Sequence, residues 1–270
     1  MYAKLLAYEI RSRYRADARS FGAFIATIAA ASGIVAAGLP GISGSTAVLA
    51  YALCALTPVA CAIAAMADYW KTLYGQRGYF MMSLPVSGTT IFWAKTTRMV
   101  IECLLALALA IGGIIAVASA AAWSDGISLA EYTAGPRSLV AGVPTSTVAI
   151  MIVAQVLVSL SWLVQGSAVM SIGAEGRFNH MGFGAPIIGF VLLYIVNQVL
   201  STVGTFFLPL SVTTDGHFST EIMWTSYLAT MGTEGQPNVI GTGSYVLVPL
   251  VALVMGLWAS RSIEKHTSLR

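Results

Sequence analysis

SFGAFIATIAAASGIVAAGLPGISGSTAVLAYALCALTPVACAIAAMA, residues 20–67, runs for 48 positions without a charged side chain. A helix needs about 20 apolar residues to cross the ~30 Å hydrocarbon core of a bilayer, so this run is too long for one span and suits two. Its middle, LPGISGS (39–45), gathers Gly, Pro and Ser where a chain reverses. The run therefore reads as a helical hairpin with spans near 21–38 and 46–67. Similar apolar segments near 99–122, 147–171, 185–208 and 243–260 bring the expected number of transmembrane helices to six.

Composition points the same way. Of 270 residues, 57% are hydrophobic and 9% charged, with a mean hydropathy of +0.80. Soluble domains carry about a quarter charged residues, so the fold class expected is all-α, a polytopic membrane protein forming one domain over 1–270. Thirteen of the 14 Lys and Arg residues fall on one side of the six spans. Lys4, Arg11, Arg13, Arg15 and Arg19 precede the first; Lys71, Arg77, Lys95 and Arg98 lie between the second and third. Arg177 follows the fourth, and Arg261, Lys265 and Arg270 follow the sixth. Only Arg137 lies opposite. By the positive-inside rule both termini are expected to be cytoplasmic, in a multi-pass protein of the cell (inner) membrane. A cleaved signal peptide is the competing reading of the first 40 residues, but it needs a 20-residue leader with five cations and leaves five spans.

Residues 1–18 place Tyr2, Leu5, Leu6, Ile10 and Tyr14 on one side of a helical wheel and Lys4, Arg11 and Arg15 on the other. An amphipathic elbow helix lying in the inner interface is expected there, with lipid as its partner. The longest connection, 206–242, contains no Lys or Arg and opens TFFLPLSV before breaking at Pro209; a re-entrant helix and trailing apolarity both fit.

Several function classes lack their chemistry. GISG (41–44) matches a G-x-S-G serine-protease motif, but that serine needs a histidine base within hydrogen-bond reach. His180, His217 and His266 all lie outside the spans. Ion-driven carriers place ionisable groups at mid-membrane. Here Glu102 and Asp68 sit at inner span ends, and Arg98 four residues before Glu102 suggests a local pair. None of the four lysines follows a glycine, which excludes the P-loop signature. Cys54, Cys61 and Cys103 read as small packing residues. No catalytic residue, metal ligand or cofactor of this chain is assigned, and no nucleic-acid partner is expected. Gln155, Asn197 and Gln198 are polar residues that either line a translocation path or tie helices together; Gln165 reads as interhelical glue.

What remains is a chain of transport size with no energy source of its own. Its one substantial inner connection, 68–97, contains YGQRGYFMMSLPVSGTTIFWAK (74–95). Pro85 ends any helix begun near Gly78. Tyr79, Phe80, Met81, Met82 and Leu84 would form a short apolar turn, and Ser87 or Thr89 would cap a helix running on through Lys95 and Arg98. From 89 to 122 that helix would be about 50 Å long, more than a bilayer core needs. The short apolar helix suits a partner's groove, with Arg77 and Lys95 as a polar rim, or a resting place on lipid.

This run resembles the inner loop of permeases of the type-2 exporter family of ABC (ATP-binding-cassette) transporters, in which a Ser-Leu-Pro-Val-Ser-like stretch followed by a lysine joins spans 2 and 3. The six spans and inward termini fit loosely. The resemblance implies a transport subunit, not an enzyme, that pairs with a second permease subunit and with ABC ATPase subunits, which would bind ATP and Mg. Tyr74, Arg77, Tyr79, Phe80, Met81, Met82, Leu84 and Pro85 would then belong to a coupling helix entering the ATPase, and 1–18 would be the elbow helix. An ATP-independent channel or secondary carrier is the alternative, followed by a peptide-extracting immunity complex or a membrane-embedded enzyme.

Overall fold

The computed structural model describes residues 1–265 except 76, 77, 79, 80, 82, 84, 183 and 232–234; at Asn179 and His180 it describes the backbone alone. Six helices are long and apolar enough to cross a membrane. They are α1 (Tyr2–Ala36), α2 (Ser43–Leu73), α3 (Gly88–Ser124), α6 (Thr145–Gly173), α7 (Gly184–Phe207) and α9 (Ser244–Lys265), with short helices α4 (Leu129–Tyr132), α5 (Ala134–Ser138) and α8 (Met223–Thr230) between them. The chain is a multi-pass membrane protein by this measure, and each apolar segment expected from the sequence coincides with one long helix, three of them (21–38, 185–208 and 243–260) running one or two residues past a helix end.

Several of the helices overrun the apolar segments at one or both ends. At 1.5 Å per residue the 35 residues of α1 extend about 52 Å. Residues 1–18, expected as a separate elbow, are the first turns of this one helix. Nothing between Ala18 and Phe24 breaks it: there is no proline, and a lone Gly22 is tolerated. Likewise α3 starts at Gly88 and runs unbroken for 37 residues, as the capping argument required. Ser87 caps it, its Oγ accepting from the Thr90 N–H at 3.3 Å.

The chain divides into two compact units. The first comprises Met1–Tyr69 and Ala94–Leu139. Its helices meet through Ala and Cys with a few branched side chains: Ile28, Ala50, Cys54, Ala110 and Val117 form one buried cluster, and Val35, Ala120 and Ala121 another. Small residues let helix backbones approach closely where lipid provides no hydrophobic drive for association. Cys54 is fully buried here, facing Gly113, where a Cβ would stand 2.7 Å from its sulfur. Ser43 begins α2, and its Oγ donates to the Ile34 carbonyl at 3.2 Å, so it stitches the hairpin turn.

The second unit comprises Trp70–Trp93 and Val140–Arg270. In it α9 packs on α6 and α7. Its loop departs from an all-α fold. After α7 ends at Phe207 the chain forms a three-stranded antiparallel sheet in the order β2-β1-β3, from β1 (Ser211–Thr213), β2 (Phe218–Ser219) and β3 (Val239–Gly241). The register pairs Val212 with Phe218 on one side and with Ile240 on the other. The tip, Thr214-Asp215-Gly216, is a three-residue hairpin loop with Gly216 at φ 81°, the left-handed position such loops require. Thus TFFLPLSV breaks at Pro209 as expected, but a strand follows it, not a re-entrant helix; Val and Thr suit a pleated ribbon. The helix of this segment comes later, as α8, whose Trp224 and Tyr227 lie against Phe206 at 6.1 and 6.2 Å between ring centres.

Candidate functional site

The inner connection belongs to the second unit. Trp70 and Tyr74 pair at 5.2 Å as α2 ends. Gly78 and Met81 have helical backbone and are buried, whereas Ser83 and Pro85 are exposed. Arg77, Tyr79, Phe80, Met82 and Leu84 lie outside the described residues. Met81 therefore faces this chain itself and not an open surface. The start of α3 is also held: a Cβ on Gly88 would come within 2.8 Å of the Glu264 backbone nitrogen and 3.0 Å of Ile263. The end of the connection thus rests directly on the last turns of α9.

Beyond Trp93, α3 enters the first unit and carries its main polar feature. Lys95, Arg98 and Glu102 are spaced 3 and 4 apart, so they share a face. On α1, Glu9, Arg13 and Asp17 repeat every fourth residue and do the same. With Asp68 of α2 they close into one ionic network. Lys95 Nζ lies 3.0 Å from Glu9 Oε1. The Arg98 guanidinium donates to Asp68 Oδ2 at 3.0 Å and to Glu102 Oε2 at 2.9 Å, with Glu9 at 3.9 Å from its Nε. Arg13 reaches Asp68 Oδ1 at 2.8 Å and stands 3.5 and 3.7 Å from Asp17 and Glu102.

Lys95 and Arg98 are each 1% exposed and Glu9 is 3% exposed. Charges taken this far from water are tolerated only when paired and hydrogen-bonded. Lys95 accordingly does not form a rim for a docking partner; it is enclosed and tied to Glu9. The local Arg98–Glu102 pair is present, but as one edge of a seven-residue network joining three helices. A cleft of about 430 Å³ opens beside Arg13, Asp17 and Glu102. The sequence carried the signal for this network as two separate stripes. On α1 the apolar stripe does not set the buried face: Tyr14 is 67% exposed while Glu9 and Leu5 are buried.

In the second unit the amides separate. Gln165 and Asn197 are buried, and Asn197 Nδ2 donates to Gln165 Oε1 at 2.6 Å while Gln165 Nε2 donates to the Val248 carbonyl at 3.0 Å. These bonds join α6, α7 and α9, with Val248 lying immediately before Pro249 in α9. Gln198 is exposed, and Gln155 is exposed and accepts from the Tyr245 hydroxyl at 3.2 Å. Replacing Gln165 by Leu strands the Asn197 amide, whose Oδ1 already makes no hydrogen bond among the described residues. The expected loss is about 1 kcal/mol in unfolding titrations in mixed micelles, against almost none for Gln198→Leu.

No family, curated protein or solved structure matches the chain in comparisons of sequence and fold.

Proposed function

We propose that the protein is the membrane-spanning subunit of an ATP-driven ABC exporter, working with a second permease subunit and separate ATPase subunits and oriented with both termini in the cytoplasm. The observation that carries this reading is the inner connection between α2 and α3: the Ser-Leu-Pro-Val-Ser run ends in a capped helix that continues without a break from Gly88 to Ser124. A partner acting on residues 74–85 would move a rigid span and not a slack loop. The charge distribution supports the orientation, and the missing P-loop lysine supports an external source of ATP hydrolysis. Within this reading α1 serves as elbow and first span in one rod, and the ionic network fixes its inner half to α2 and α3.

The test is the double substitution Phe80→Asp/Leu84→Asp. Two carboxylates in an apolar contact are expected to abolish co-purification of an ATPase and ATP-dependent transport, while the chain keeps its unfolding midpoint in micelles. Retention of both the ATPase and transport overturns the reading.

A further inference from the structure

We propose that the second unit binds one anionic phospholipid, its headgroup at Arg177, Arg261 and Lys265 and an acyl chain in the apolar cavity between α6, α7 and α9. Two adjoining spaces carry the proposal. The first is a cleft of about 590 Å³ lined by Glu175, Arg177, Arg261, Ser262 and Lys265, with Trp258 at its edge. The second, of about 480 Å³, is walled by Phe178, Met181, Leu192, Val254 and Met255 and also by Trp258. One indole thus borders a basic cleft and an apolar one, the division expected of a site for an amphipathic ligand.

The charges are arranged to favour an anion. The one carboxylate in the cleft, Glu175, is 5% exposed and occupied on both oxygens: Ser262 Oγ donates to Oε1 at 2.8 Å, and Arg177 Nε lies 2.7 Å from Oε2. Arg177 is 60% exposed on its side chain and lies over the Phe178 ring at 4.6 Å, so its outer edge faces the cleft. Arg261 and Lys265, four residues apart on α9, are exposed and make no ion pair among the described residues. Three cations against one internally satisfied carboxylate leave a net positive cleft at the ends of helices long enough to span a bilayer. Basic pockets between membrane helices recognise phospholipid headgroups in this way. The proposal requires only that these helices cross a membrane; it stands or falls independently of ATPase docking.

The full chain in mixed micelles is titrated with phosphatidylglycerol brominated on its acyl chains, a quencher of indole fluorescence, and with brominated phosphatidylcholine. Phosphatidylglycerol is expected to quench at low mole fraction, to lose that quenching in Trp258→Phe, and to bind roughly 30-fold more weakly to Arg261→Gln/Lys265→Gln, as two surface cations are lost. Lys71→Gln/Arg137→Gln, which removes two exposed cations elsewhere, is expected to titrate like the unchanged chain, and phosphatidylcholine is expected to show no difference among variants. Equal quenching by the two lipids, or an unchanged titration of the Arg261/Lys265 variant, overturns the proposal. So does full competition by inorganic phosphate, which marks a free-anion site, or a chain dimer lost in the same variant, which marks a protein interface.

Discussion

Replacing Arg98 with Ala is expected to cost the protein about 3–5 kcal/mol, measured by denaturant unfolding in micelles, because it removes one partner from a buried pair and leaves the others uncompensated. Arg98, like Arg13, lies within 4 Å of three carboxylates on three different helices, here Glu9, Asp68 and Glu102, and it is the more deeply buried of the two cations. Its loss leaves four acids facing Arg13 and Lys95. The double variant Arg98→Met/Glu102→Gln removes charge of both signs and is expected to recover a substantial part of the stability, since neutral residues of similar volume often replace a buried pair without loss. A double-mutant cycle then isolates the coupling of the two side chains. A cost below about 1 kcal/mol, the value of an exposed ion pair, would show that water reaches this site in the folded protein.

Gly241→Ala is expected to be comparably severe through sterics alone. A Cβ at Gly241 would overlap the Thr205 carbonyl, and one at Gly243 would overlap the Gly204 carbonyl and lie 2.8 Å from Leu208 Cβ. The obstacles are backbone atoms near the end of α7, which cannot rotate aside as a side chain can. Overpacking usually costs about 1–3 kcal/mol where side chains yield; here the top of that range or more is expected, with β3 pulled from β1. Amide hydrogen exchange checks this directly. The Thr214 and Thr242 amides, which donate to the Asn238 and Leu210 carbonyls across the β1–β3 pair, should lose protection in Gly241→Ala, whereas Gly112→Ala, in a helix with nothing within 4 Å, should leave them unchanged.

What was legible in the sequence follows from which physical constraint acts locally. Uncharged runs mark hydrocarbon-length segments, so all six long helices were visible, but such runs mark the apolar zone and not the end of the helix. Asp68 closes the run and α2 still continues to Leu73. The cap at Ser87 was visible because capping is a three-residue event. SVTTDGHFS (211–219) carries a hairpin signal in its Asp-Gly tip, but the apolar residues before Pro209 favour a helical reading of the same stretch. The ionic network was half visible. Spacing pairs Arg98 with Glu102, whereas Lys95 reads as a rim residue, and nothing in a single chain says that Glu9 and Arg13 of α1 meet them. A charged residue at a span end reads equally well as one snorkelling to water.

The placement of residues 70–93 has a mechanical consequence. Gly88 of this segment packs on α9 in the second unit, yet at both ends the segment continues as uninterrupted helix, through Tyr69–Trp70 in α2 and Trp93–Ala94 in α3. A displacement imposed on this segment has two outlets: through packing at Gly88 onto the last turns of α9, and through covalent helix into α2 and α3. Neither covalent outlet passes a loop in which the strain could dissipate. Stiffening or loosening the Gly88 contact alone would change how much of an applied push reaches α9.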